Sequence, residues 1–289
     1  MSVRSALMRV AALEDLNFLL TNRIPRHAST RFMGWFSKIE HPVVRTASLW
    51  LWRLFCDVDL TDAAQSRFPS LHAAFIRPLR AGARPVDRDP GIVVAPCDAI
   101  VGASGRVADG QVFQVKGFPY ALADLLGDAR DARTWHDGWF VTLRLTAGMY
   151  HRFHAPHDLT VEQVRYISGD TWNVNPIALR RVERLFCKNE RAPITVRLAG
   201  GQRIALVPVA AILVASIRLP FLDQDRNVRD GGEGARPCDA HFAKGEEMGW
   251  FEHGSTIVML APPECRLVAG IVEGRRISMG EALMTLQEC

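Results

Sequence analysis

The sequence predicts an α+β protein, with an antiparallel, β-rich core behind an N-terminal layer of amphipathic helices. Three features point there. Apolar residues recur at helical spacing only as far as about residue 80. From about residue 88 the chain breaks into short apolar or alternating runs separated by Gly, Asp and Pro. No window reaches the roughly 18 apolar residues of a membrane-spanning helix, so any contact with a membrane is expected at its surface.

The helical part comes first. AALEDLNFLLTNRIP carries Leu13, Leu16, Leu19 and Leu20 at helical recurrence and stops before Pro25. STRFMGWFSKIEHP follows, with Ser29 or Thr30 available as an N-cap. PVVRTASLWLWRLFCDVDL gives a third helical stretch. Between residues 22 and 55, Arg23, Arg26, Arg31, Lys38, Arg45 and Arg53 face one acidic residue, Glu40. Phe32, Trp35, Phe36, Trp50, Trp52 and Phe55 are interleaved with them. This composition fits an interfacial membrane anchor. Taken alone it fits slightly better a layer packed on the protein's own core with its charges in water.

The strand-forming part begins with GIVVAPCDAIVGASGRV and continues through DGWFVTLRLTA and HDLTVEQVRYISG. APITVRLAGGQRIAL reads as a hairpin turning at Gly200-Gly201. The run IALVPVAAILVASI, rich in β-branched residues, reads as one or two core strands despite Pro208. HGSTIVMLAPPECRLV supplies a late buried strand. NPIALRRVERLFCKNER is a short helix candidate, and the polar stretch 223–240 is expected to be a mobile loop. The division is therefore a helical region, 1–80, and a β-rich domain, 81–289.

A net charge of +4 suits contact with an anionic surface without identifying one, and no nucleic-acid partner is expected. The six cysteines form no C-x-x-C pair and no zinc-type spacing, so reduced thiols in a cytoplasmic setting are expected. Arg4, Arg9, Glu14 and Asp15 leave no long apolar core for a signal peptide near the N-terminus.

Three stretches could do chemistry. In VVAPCDAIVG, Asp98 interrupts an apolar strand, where a carboxylate needs a partner; the alternative is a turn aspartate. In GMYHRFHAPHD, His151, His154 and His157 stand three residues apart. That spacing gives no common strand face, and Pro156 breaks a helix, so acid–base chemistry is favoured over a metal. Exposed loop histidines are the alternative, for His157 in particular. In FEHGSTIVML, Ser255 follows Gly254 at the start of an apolar run and could be a nucleophile or part of a turn. Asp98, His154 and Ser255 together would make an acid–base–nucleophile set, although the pattern is not G-x-S-x-G.

In order and spacing, PCDAIVG, GMYHRFHAP, NVNPIAL, LFCKNERAPI and FAKGEEMGWFEHGSTIVML resemble the successive signatures of the phosphatidylserine decarboxylases. The N-terminal LNFLLTNRIPRHASTRFMGWFSK is similar to that family's membrane-associating helices. The resemblance implies a proenzyme that cuts itself at Gly254–Ser255 into 1–254 and 255–289. It also implies a pyruvoyl group derived from Ser255 as the only cofactor, with no metal. Asp98 would orient His154, His154 would take the serine proton, and His151 would be the proton donor in turnover. The substrate would form a Schiff base and leave as phosphatidylethanolamine and CO2. The implied partners are phosphatidylserine in an anionic membrane surface, the cleaved small chain, and a second copy in a homodimer. The N-terminal layer becomes a set of amphipathic membrane-surface helices. The implied location is peripheral, on the cytoplasmic face of the cell membrane, with basic residues contributing on the order of 1 kcal/mol each near the surface.

The sequence departs from the family pattern at Ala99, Ala210 and Ala215, where glycines are usual, and at His253, where leucine is usual. These changes bear on pocket shape and processing rate. The competing readings are a serine hydrolase built on Asp98, His154 and Ser255, a catalytically silent membrane-surface protein of the same fold, and a decarboxylase for another headgroup or a soluble amino acid.

Overall fold

The computed structural model describes residues 14–114, 118–212, 216–252 and 255–287. Gly254, His253 and Ala215 lie outside the described residues. Eight strands form one sheet: β1 (Ala99–Arg106), β2 (Trp139–Leu145), β3 (Leu159–Tyr166), β4 (Ile194–Leu198), β5 (Arg203–Ala210), β6 (Gly234–Phe242), β7 (Ser255–Ala261) and β8 (Arg276–Ile277). They lie in the order β6-β3-β4-β5-β7-β2-β1-β8. Every neighbouring pair is antiparallel.

The apolar run STIVMLA is explained by its place in this sheet. β7 pairs with β5 on one side and β2 on the other, and is buried at every position. Ile257, Met259 and Ala261 enter one core cluster, while Val258 and Leu260 enter a second on the opposite face. A strand covered on both faces loses the alternation of a half-exposed one. Pro208 is accommodated in β5 because β4 pairs only as far as Leu206. Its carbonyl accepts from the Ala192 N–H instead.

Two three-stranded sheets flank the large one. The first joins Ile217–Arg218, Glu247–Phe251 and Arg152–His154, and the second joins Ile92–Val94, Ala282–Leu286 and Cys265–Leu267. IALVPVAAILVASI thus supplies strands to two different sheets. The hairpin between β4 and β5 turns at Gly201, whose φ of +90° explains the glycine there. In the first small sheet, a Cβ on Gly249 would stand 2.3 Å from the Arg218 carbonyl oxygen and 2.9 Å from the Phe153 ring. Gly249→Ala should therefore cost about 3 kcal/mol of stability through overpacking, read as a lower urea midpoint with an unchanged slope.

Two local expectations are corrected. Residues 223–240 are not one loop: Val228–Gly231 forms a 3-10 turn, and β6 begins at Gly234. β6 is an edge strand paired only with β3, which tolerates Pro237 and polar side chains and hides the strand signal. The 175–191 helix is two short helices, Pro176–Arg181 and Leu185–Lys188. They are separated where Arg184 adopts a φ of +52°.

Among the described residues four helices precede the sheet: α1 (Glu14–Asn22), α2 (Arg26–Phe36), α3 (Pro42–Phe55) and the short α4 (Leu71–Phe75), which carries Phe75. α2 starts earlier than Ser29, because Pro25 with φ −64° already holds a geometry that can lead into a helix, without a side-chain cap. Polar contacts tie this layer down. Arg26 stacks 3.9 Å from the Trp172 ring centre and donates to Asp170 at 2.8 Å. The Asn173 N–H donates to the Asn22 side chain at 3.0 Å, and Arg181 pairs with Asp15 at 2.8 Å. Phe32, Trp35, Val43, Trp50 and Phe55 remain exposed. Among the described residues no helix is long and apolar enough to cross a membrane.

Candidate active site

Ser255 is the first residue of β7, opposite Leu145 on β2 and Ala210 on β5. It is fully buried, and its Oγ has no hydrogen-bond partner among the described residues. A buried hydroxyl without a partner costs roughly 1–3 kcal/mol. An alanine would avoid that cost, so the serine is explained by chemistry better than by stability. A cavity of about 410 Å³ lies against it, walled by Met33, Trp52, Phe75, Val174 and Ile212. Met33 and Trp52 come from the N-terminal helices, so the layer that carries the exposed aromatics also closes the space at Ser255.

The segment after β2 places the histidines. His151 is buried, with Nδ1 2.8 Å from the Met149 carbonyl and its ring centre 3.9 Å from that of Phe75. Phe75 lines the Ser255 cavity, so the ring that packs on His151 is also part of the cavity wall. His154 Nδ1 lies 2.9 Å from the Gly245 carbonyl, and Nε2 lies 2.9 Å from the Tyr150 hydroxyl. A carbonyl only accepts, so Nδ1 carries the proton, and Nε2 receives the Tyr150 O–H. Burial, opposed by the Gly245 hydrogen bond, lowers the His154 pKa from its ordinary 6.5. The imidazole is therefore neutral and basic at neutral pH.

Asp98 does not hydrogen-bond to His154. Both its oxygens accept from Arg84, at 2.7 to 3.1 Å, and Oδ1 also accepts from the Met279 N–H at 2.9 Å. Hydrogen bonding to Asp98 raises the Arg84 pKa further. The Asp98 charge still favours protonated His154, but as the weakest of the influences on it. Asp98, Arg84 and Tyr150 line a separate cleft of about 220 Å³. Gly148 and Met149 line that cleft, while Thr146 and Ala147 line the Ser255 cavity. One loop thus divides the two spaces, and the structure does not link Asp98, His154 and Ser255 through hydrogen bonds.

His157 is not an exposed loop histidine. It is buried, with Nε2 2.9 Å from the Pro90 carbonyl and Nδ1 3.2 Å from that of Asp158. Sequence reasoning missed Arg84, Phe75 and the partnership of Tyr150 with His154. Of these only Tyr150 stood inside a quoted motif.

A buried hydroxyl without a partner among the described residues, set at a cavity wall, together with a neutral His154 imidazole in the segment after the neighbouring strand, is the equipment of an enzyme. The sequence profile of the phosphatidylserine decarboxylase family matches residues 71–285. The phosphatidylserine decarboxylase proenzyme of Shewanella baltica is 34% identical, covering 96% of this chain and 98% of its own. That of Brevibacillus brevis is 30% identical over 92% and 96%, and that of Halorhodospira halophila 37% over 80% of each. The chain belongs to the phosphatidylserine decarboxylase family.

Proposed function

We propose that this chain is a proenzyme that cuts itself between Gly254 and Ser255, and then converts phosphatidylserine to phosphatidylethanolamine and CO2. The observation that carries the reading is the buried, unpartnered Oγ of Ser255 at the cavity wall. Ser255 Oγ attacks the Gly254 carbonyl carbon, and its proton passes to the His154 side. The C–N bond breaks, the nitrogen gains a proton, and an ester links Gly254 to Oγ. Loss of the Cα proton of residue 255 then expels the Gly254 carboxylate and leaves dehydroalanine. Tautomerisation and addition of water release ammonia and leave a pyruvoyl group at the head of 255–289.

The residues present fit that group. Ser255 stands on a mostly apolar cavity that keeps water from a reactive carbonyl. The pyruvoyl group supplies an electron sink for the substrate amine, so CO2 can depart with its bonding pair left behind. His151, buried against Phe75, is the proposed proton donor to the substrate carbon. Tyr150 holds the lone pair of His154 and must yield or relay when that base acts. Asp98 contributes charge and anchors Arg84 rather than binding His154. Residues 255–289 supply β7 and β8, which would keep the small chain in the common sheet after scission.

The helical region 1–80 serves as a peripheral membrane anchor for the 81–289 catalytic domain, on the cytoplasmic face, with a homodimer as the expected assembly. The exposed Phe32, Trp35 and Trp50 beside Arg31, Arg45 and Arg53 support that role. The direct test uses vesicles of phosphatidylserine labelled at the serine carboxyl. Wild type should release labelled CO2, and Ser255→Ala should fall to background. CO2 release by Ser255→Ala equal to that of wild type would overturn the reading.

A further inference from the structure

Among the described residues, the well-buried guanidinium groups otherwise have hydrogen-bond or ion-pair partners. Arg84 holds Asp98 and Asp62, and Arg152 holds Glu247. Arg191 donates to the carbonyls of Leu125, Asp124, Cys187 and Asn189. Arg77 donates to those of Ala74, Asp59 and Gly148. Arg144 is the exception. It lies on β2, between Thr256 of β7 and Ile100 of β1, and forms no ion pair or side-chain hydrogen bond among the described residues. Burial lowers its pKa, and no neighbouring charge opposes that shift. A partly buried cation without a partner is costly to hold, and the cost is offset when an anion arrives.

Among the described residues lining the cavity at Ser255, Arg144 is also the one that carries a charge. It also lines a second cavity, of about 380 Å³, together with Arg180 and Glu273. We infer that Arg144 holds the phosphodiester of the lipid headgroup while the serine amine reaches residue 255. This rests on the decarboxylase reading. The phosphodiester suits the site better than the substrate carboxylate. The carboxylate loses its charge as CO2 leaves, so an arginine on it would stabilise the ground state against reaction. The phosphodiester keeps its charge throughout and suits the two-pronged guanidinium. The orphan Oγ explains where chemistry occurs, and Arg144 explains which anion is held beside it.

The test is a binding measurement that does not require turnover. The full-length Ser255→Ala chain is titrated calorimetrically with glycerophospho-L-serine, L-serine and inorganic phosphate, with and without Arg144→Gln. Arg144→Gln should weaken glycerophospho-L-serine binding about tenfold or more, as expected for a lost charge-assisted contact. L-serine binding should be unchanged. Arg144→Lys should recover part of the loss, and all chains should keep the same thermal midpoint within about 2 °C. Unchanged affinity in Arg144→Gln, no binding by the parent chain, or a melted variant that Arg144→Lys also fails to rescue would overturn the assignment. Inorganic phosphate binding as tightly as the phosphodiester would overturn it too, marking a free-phosphate site. Failure of the decarboxylase reading would show separately, as an uncut wild-type chain.

Discussion

His154→Gln should leave the proenzyme almost entirely uncut. A positioned general base contributes on the order of 100- to 10,000-fold to a proton-transfer step, so self-cleavage should slow by that factor, read as the rate at which full-length chain disappears. The wild-type reaction should also have a characteristic pH profile. Burial lowers the His154 pKa below 6.5, so the base is mostly neutral above that value. The rate should change little on this account from 6.5 to 8 and fall mainly at lower pH, through the folded pKa.

Stability should follow with the same sign. Well above pH 6.5 His154 is neutral in both folded and unfolded chains, and its contribution is fully present. As pH falls below 6.5 the unfolded chain takes up the proton first, and that stability is lost down through the folded pKa. In a Ser255→Ala background, His154→Gln should flatten this part of the curve. A processing rate that still falls steeply between pH 8 and 6.5 would point to a base other than His154.

The second large effect is expected at the membrane. Trp35 and Trp50 are 64% and 62% exposed, on α2 and α3. Phe32, Val43, Leu51 and Phe55 lie on the same two helices and are also exposed. Burying a large apolar side chain is worth at least about 1.5 kcal/mol. Trp35→Ser with Trp50→Ser should therefore weaken partitioning onto vesicles by about 3 kcal/mol, roughly 100-fold. The same double variant should cut itself normally, because neither residue lines the Ser255 cavity. Undiminished sedimentation with phosphatidylserine vesicles would remove these helices as the anchor. Added salt should weaken wild-type binding as well, through screening of Arg31, Arg45 and Arg53.

The β-rich core was legible wherever burial wrote a simple pattern. Ser255–Ala261 is apolar at almost every position because it is covered on both faces. The β4–β5 turn was legible because a φ of +90° at Gly201 favours the residue found there. β6 was hidden because an edge strand carries Arg236, Pro237, Asp239 and His241 without penalty. The site was partly legible for a different reason. Ser255, His151 and His154 belong to short motifs, whereas their partners are set by folding. Arg84 captures Asp98 from 14 residues upstream, and Phe75 reaches His151 from a separate helix. Nothing in the local spacing announces either contact. Tyr150 was in view, but its bond to His154 Nε2, like that of Nδ1 to the Gly245 carbonyl 91 residues away, is set by folding. Arg144 sits in an ordinary strand, and only the absence of a partner among the described residues distinguishes it.

The central claim is that Ser255 becomes the head of a separate chain. It is tested most directly by the intact mass of the purified protein under denaturing conditions, after incubation at neutral pH. Two masses are expected, corresponding to 1–254 and 255–289, with the smaller chain blocked at its N-terminus by a pyruvoyl group. The larger chain should be the one that carries the Gly254 carboxylate. A single mass for residues 1–289 under those conditions, with Ser255 intact, would contradict the account.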